Sequence, residues 1–193
     1  MTHQFNRISV VGLGYIGLPP AAMSASRKRK VTGVDVNQAA VDTINSGAIH
    51  IVEPDLDTVV HEAVDGGYLS ATLTPEPADA FLIAVPTPFK GEDHEPDLAY
   101  IEAASKAIAP VLQPGNLVVL ESTSPVGATE QMAAWLAEAR PDLSFPQQAG
   151  EASDIRVAEP LEALRDSLAR DYGVRVSADH AATARDAGTW VLG

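Results

Sequence analysis

Six residues, Gly12-Leu13-Gly14-Tyr15-Ile16-Gly17, constrain this chain more than any other feature. They follow directly on the apolar run Ile8–Val11 and lead into a helix-period stretch, Ile16–Arg27. A second apolar run, Val31–Val36, closes the unit and carries an acid, Asp35. Glycines at that spacing between a strand and a helix answer three physical needs. The first makes a tight turn, the second lets backbone approach a pyrophosphate, and the third lets helix and strand pack closely. The helix N-terminus offers unpaired N–H groups to the anion. Asp35 stands about 20 residues past the glycines, where the ribose-binding carboxylate of a dinucleotide fold belongs. The expected cofactor-binding residues are therefore Gly12, Gly14, Tyr15, Ile16 and Gly17 around the turn and Asp35 at a ribose. A carboxylate there accepts hydrogen bonds from a free diol and repels a 2′-phosphate, so NAD is favoured over NADP. The cluster Arg27-Lys28-Arg29-Lys30 could argue for a phosphate, but reads as a cationic helix end answering the helix dipole.

The same alternation continues along the chain. Ala71–Leu73, Ala80–Val85 and Leu117–Glu121 read as further strands, with helices over Gln38–Ser46, Leu56–Asp65, Asp97–Leu112 and Gly127–Ala139. Nearly continuous apolar strands between helices mean a parallel sheet covered on both faces. The fold class is α/β, a Rossmann-type doubly wound parallel sheet with a short α/β tail. Two domains are expected, residues 1–158 and 159–193, joined through a connecting loop over Pro141–Asp154. In the tail, Leu161–Asp171 and Asp179–Asp186 read as helices and Val174–Ser177 and Thr189–Leu192 as strands. A second proline beside Pro19, Pro20, is expected to cost up to ~3 kcal/mol if it falls in a helix interior.

Two more loops follow apolar strands, Val85-Pro86-Thr87-Pro88 and Glu121-Ser122-Thr123-Ser124-Pro125. In an open parallel sheet the ligand lies beyond the carboxyl ends of the strands. Pro86, Thr87, Ser122 and Thr123 are placed there with the glycines and Asp35. Ser124 and Pro125 read as N-cap and first helical residue, and Asp97 as another cap. The five histidines show no metal-ligand spacing, and neither a P-loop nor a G-x-S-x-G elbow is present, so no metal site is expected.

Charge and cysteine count narrow the chemistry. A net charge of −13 repels nucleic-acid phosphates and anionic membranes, so neither is an expected partner. The run Ile8–Ala25 is too short and too broken by glycine and proline for a membrane span, and the expected location is cytoplasmic. Zero cysteines exclude disulfides, thiolate metal sites and a thiol nucleophile from this chain.

The segments "ISVVGLGYIGLP", "GVDVNQAAVDTINSGAIHIVEPDL", "FLIAVPTPFKGEDHEPDLAYIEAA" and "VLESTSPVGATEQMAAWLAEARPDLSFPQQAGE" closely resemble the UDP-glucose/UDP-mannose dehydrogenase family. Within it, "IHIVEPDL" and "VPTPFKG…HEPD" point to the N-acetylmannosamine branch. The likeness covers about four-fifths of the chain. It implies an NAD-dependent enzyme that oxidises the primary alcohol of a UDP-sugar twice, to a carboxylate used in surface polysaccharides. It also implies that Thr87 lines the nucleotide. Thr123 would stand near the nicotinamide, where it positions water or substrate as an auxiliary to catalysis.

The family pattern then breaks. Members are about twice as long and carry a nucleophilic cysteine, an active-site lysine, a dimer-forming helix and a UDP-holding second domain. This chain has no cysteine and no lysine after Lys106. From Glu159-Pro160 its text resembles the end of the C-terminal domain, as though the middle were missing. The expectation is an NAD-binding portion without turnover of its own. The alternatives are an active dehydrogenase completed by a partner chain, and a non-catalytic dinucleotide-binding or interaction protein. A homo-oligomer is allowed by the family.

Overall fold

The computed structural model describes residues 5–91, 95–121, 124–145 and 155–158. The chain divides after Ala158, and the account below concerns the first unit. The expected elements from Leu161 onward lie outside the described residues.

Six parallel strands form the central sheet: β1 (Arg7–Val11), β2 (Lys30–Val34), β3 (Leu69–Thr72), β4 (Ala80–Ile83), β7 (Leu117–Leu120) and β8 (Arg156–Ala158). Their spatial order is β3-β2-β1-β4-β7-β8, so the winding direction reverses between β1 and β4. That reversal opens a crevice at the carboxyl ends, which is where this topology takes a ligand. Two short strands, β5 (Phe89–Lys90) and β6 (Glu95–Pro96), pair as an antiparallel hairpin beyond β4. Strands of two residues fall below any periodic signal, and the hairpin was not expected.

Apolar alternation sorts the core into two faces. Helices α1 (Leu18–Ser26), α2 (Gln38–Asn45) and α3 (Leu56–Asp65) cover one face, where Leu18, Ala22, Ile44 and Val60 meet Val10 and Val31. Helices α4 (Ala99–Ile108) and α5 (Ala128–Ala139) cover the other, where Ile101, Ile108, Met132 and Leu136 meet Phe81, Ile83 and Val118. Among the described residues no helix is long and apolar enough to cross a membrane.

Local chemistry explains where several elements begin and end. Helix α1 starts at Leu18, two residues later than expected, so Pro19 and Pro20 both sit in its first turn. The N–H groups missing there would have had no helical partner, which removes the feared interior cost. Helix α5 starts at Ala128 rather than Pro125. Gly127, at φ 91°, interrupts the helix, and Pro125 instead accepts the Ala128 N–H at 3.1 Å in a turn. Ser124 and Pro125 are therefore not the helix cap. Asp97 does act at a helix start, its Oδ1 accepting the Ala99 N–H at 3.1 Å. The β3 edge is closed by a side chain. Asn45 donates to Ala71 O at 2.9 Å and accepts the Ala71 N–H at 2.8 Å, imitating a neighbouring strand.

Candidate functional site

The glycine loop leaves β1 at Gly12 with φ 92°. A Cβ there would lie 2.6 Å from Ala84 O, and one on Gly17 would lie 1.8 Å from Gly12 O. Both glycines are thus required by the packing of loop, helix and strand. Gly14 is different: a Cβ on it would meet nothing within 4 Å. The fold itself gives no reason for glycine at that position. Open space stands where the second fingerprint glycine keeps the backbone clear.

Two contacts hold the loop in shape. Leu13 is fully buried, and its methyl groups fill the space that a side chain on Gly33 of β2 would need, 2.6 Å from that Cβ position. The Leu13 N–H donates to Asp35 Oδ2 at 2.9 Å. Asp35 Oδ1 accepts the Asn37 N–H at 2.9 Å, which turns the chain out of β2. A carboxylate has about four acceptor lone pairs, so Asp35 keeps capacity for further donors. The amides of Gly14, Tyr15, Ile16 and Gly17 have no partner among the described residues. They stand at the N-terminus of α1, where the helix dipole adds positive potential. Tyr15 and Ile16 expose their side chains beside them.

The other expected residues fall on the same edge. Pro86 is exposed and Thr87 half-buried just beyond β4, next to β1 in the sheet. Ser122 and Thr123 lie outside the described residues. Glu121, which precedes them, follows directly on β7 and is half-buried, and burial pushes its carboxyl above the ordinary carboxylate range. Sequence reasoning passed over Leu13, Gly33 and Glu121. A glycine inside a strand is itself a signal of close approach, and Gly33 carried it.

The Arg27–Lys30 cluster belongs elsewhere. Arg27, Lys28 and Arg29 wrap the end of α1, their N–H groups donating to Ser24 O, Ala25 O and Ser24 O at 3.2, 2.8 and 3.3 Å, so three of the four cations stand at the helix C-terminus as expected. Lys30 begins β2, donates to Gly67 O at 2.6 Å and lies over the Tyr68 ring at 5.0 Å. Asp35 stands five residue steps further on, roughly 16 Å along the sheet. Lys30 cannot answer a phosphate on a ribose held at Asp35.

Comparison with known proteins agrees with this geometry. Residues 6–172 match the model of the UDP-glucose/GDP-mannose dehydrogenase family, NAD binding domain. The UDP-N-acetyl-D-mannosamine dehydrogenase of Yersinia pestis is 75% identical over 154 residues, covering 80% of this chain and 36% of that protein. The NDP-N-acetyl-D-galactosaminuronic acid dehydrogenase of Ralstonia solanacearum is 68% identical over 173 residues, covering 86% of this chain and 41% of that one. Among solved structures, the UDP-N-acetyl-mannosamine dehydrogenase Cap5O of Staphylococcus aureus superposes with a TM-score of 0.71 at 35% identity, over 79% of this chain and 36% of its own. The chain thus spans well under half the length of these relatives. Fingerprint, strand order and family match converge: this chain belongs to the UDP-glucose/GDP-mannose dehydrogenase family and carries its NAD-binding domain.

Proposed function

We propose that the chain binds NAD along the carboxyl edge of its sheet and supplies the coenzyme half of a nucleotide-sugar dehydrogenase. Gly14 carries the reading. Its missing side chain serves no packing purpose, and it lies among amides that have no partner among the described residues, beside a carboxylate with acceptor capacity to spare. A pyrophosphate and a ribose diol are the groups that such a cradle fits. Gly12 and Gly17 shape the loop, and the amides from Gly14 through Tyr15 and Ile16 to Gly17 donate to the anion. Asp35 accepts from the adenosine ribose. Pro86 and Thr87 line the nucleotide. Ser122 and Thr123 stand toward the nicotinamide, Thr123 as an auxiliary that positions water or substrate. Bound NAD would supply a hydride acceptor.

The names of the relatives support a UDP-N-acetylhexosamine as substrate, UDP-N-acetylmannosamine first. Oxidation of its primary alcohol to a carboxylate sends two hydrides to two NAD⁺ and consumes one water. The product would enter surface polysaccharides. The second oxidation needs a covalent hemiacetal on a nucleophile, and this sequence has no cysteine to form one. The chain as given therefore binds coenzyme without turning over. We assign residues 1–158 to the NAD domain and 159–193 to a remnant of the sugar-nucleotide domain, in a cytoplasmic protein able to form homo-oligomers.

Calorimetric titration with NAD⁺ tests the binding. Wild type should saturate, Asp35→Ala should lose binding, and Gly14→Ala should melt like wild type yet bind at least tenfold more weakly. Failure of the folded wild type to bind would end the reading. NADH formation from UDP-N-acetylmannosamine by this chain alone would overturn the claim that it does not turn over.

A further inference from the structure

One row of residues crosses the sheet at the carboxyl edge. Val34, Val11, Ile83 and Leu120 are in register across β2, β1, β4 and β7, and all four pack toward α4 and α5. The backbone ladder continues one residue further in each case. The N–H groups of Asp35, Gly12, Ala84 and Glu121 donate to Thr72, Val34, Val11 and Ile83 at 3.1, 2.8, 2.8 and 2.8 Å. The next row is therefore Asp35, Gly12, Ala84, Glu121. Successive strand residues face opposite ways, so this row points to the face that carries α1 and the glycine loop. Ala84 does pack into that cluster, and Asp35 does hold the loop amide.

Asp35 and Glu121 hold matching places in the two halves of the fold. Each is the first residue past the strand that neighbours the central strand of its half, β2 beside β1 and β7 beside β4. Three strand spacings, roughly 14 Å, separate them. The Glu121 carboxyl has no hydrogen-bond or ion-pair partner among the described residues, and burial is the one influence that shifts its titration. A half-buried carboxylate without donors is unfavourable, and a ligand bearing hydroxyl groups relieves it. A doubly wound sheet places one mononucleotide on each half, so the second ribose passes over β4 and β7.

We propose that Glu121 binds the ribose attached to the nicotinamide, accepting its hydroxyl groups in the second half as Asp35 accepts those of the adenosine ribose in the first. This rests on the coenzyme reading above. Titration of the full chain with three ligands separates the two. ADP carries the adenosine half, ADP-ribose adds the second ribose, and NAD⁺ adds the nicotinamide. Glu121→Ala should leave the affinity for ADP within twofold, which also shows that the variant is folded, and weaken ADP-ribose and NAD⁺ about tenfold. Glu121→Gln, which keeps one acceptor, should fall between. Asp35→Ala should weaken all three ligands. Equal affinities of wild type and Glu121→Ala for ADP-ribose would overturn the assignment while leaving the coenzyme reading intact. A loss confined to NAD⁺ would move Glu121 to the nicotinamide ring, and a loss for ADP would reduce its role to structure. If wild type binds none of the three, the coenzyme reading fails first.

Discussion

Asp35 and Glu121 each follow directly on corresponding strands of one sheet, yet the protein treats them differently. In the β1–β3 half the carboxylate takes two backbone N–H groups, a leucine plugs the loop to the sheet, and two glycines let helix and strand close up. That half completes its own edge. In the half containing β4 and β7 the carboxyl has no donor among the described residues, and the tight polar contacts of Arg140 lie away from the edge. The comparison teaches that pre-organisation is uneven: the fold ties down the edge at Asp35 and leaves the edge at Glu121 open among the described residues.

The largest effect that could break this contrast comes from Gly17→Ala. Its Cβ would stand 1.8 Å from a backbone oxygen that has nowhere to move. A loss above ~4 kcal/mol is expected, seen as loss of a cooperative melt. A normal melt would mean that the first half is not self-tied at all. Arg140→Ala probes the other half. Arg140 Nη1 donates to Ala109 O and Leu112 O, both at 2.8 Å, while Nε and Nη2 hold Asp142, which fastens the end of α5 to the end of α4. Losing these charged donors should cost about 2 kcal/mol by denaturant midpoint. A negligible change would show that this half lacks even that staple.

The smallest effect sharpens the contrast most. Glu121 is pushed above the ordinary carboxylate range by burial, so the folded chain binds its proton more tightly than the unfolded chain. Its ionisation therefore lowers stability as pH rises from the ordinary value through the raised one, and leaves stability untouched below both. Glu121→Gln should raise the melting temperature by a small margin at neutral pH, with the gain vanishing in acid. A gain that is flat with pH would mean that the carboxyl is not desolvated.

Much of this was legible beforehand, because glycine spacing, apolar runs and a strand-end acid are local signals. Fold class, the tight turn at Gly12, the close packing at Gly17, and the edge that collects Asp35 and Thr87 all follow from them. Boundaries were less legible where side chains redirect the backbone. Val36 was expected in β2, but Asp35 seizes the Asn37 amide and ends the strand at Val34. The partnership of Leu13 with Gly33 and the alignment of Glu121 with Asp35 depend on register between strands, which no single run of residues encodes. A pattern was nonetheless present, since Val31–Asp35 and Leu117–Glu121 both end an apolar stretch on an acid.

The plug of Leu13 into the gap over Gly33 ties a surface loop to the interior. Drift at either position has a narrow path: a larger residue at 33 demands a smaller one at 13, and the loop must survive the exchange. Among diverged homologues these two columns should change together or not at all. Among the described residues position 121 has no such internal partner, so its identity is free to follow whatever ligand each lineage adopts.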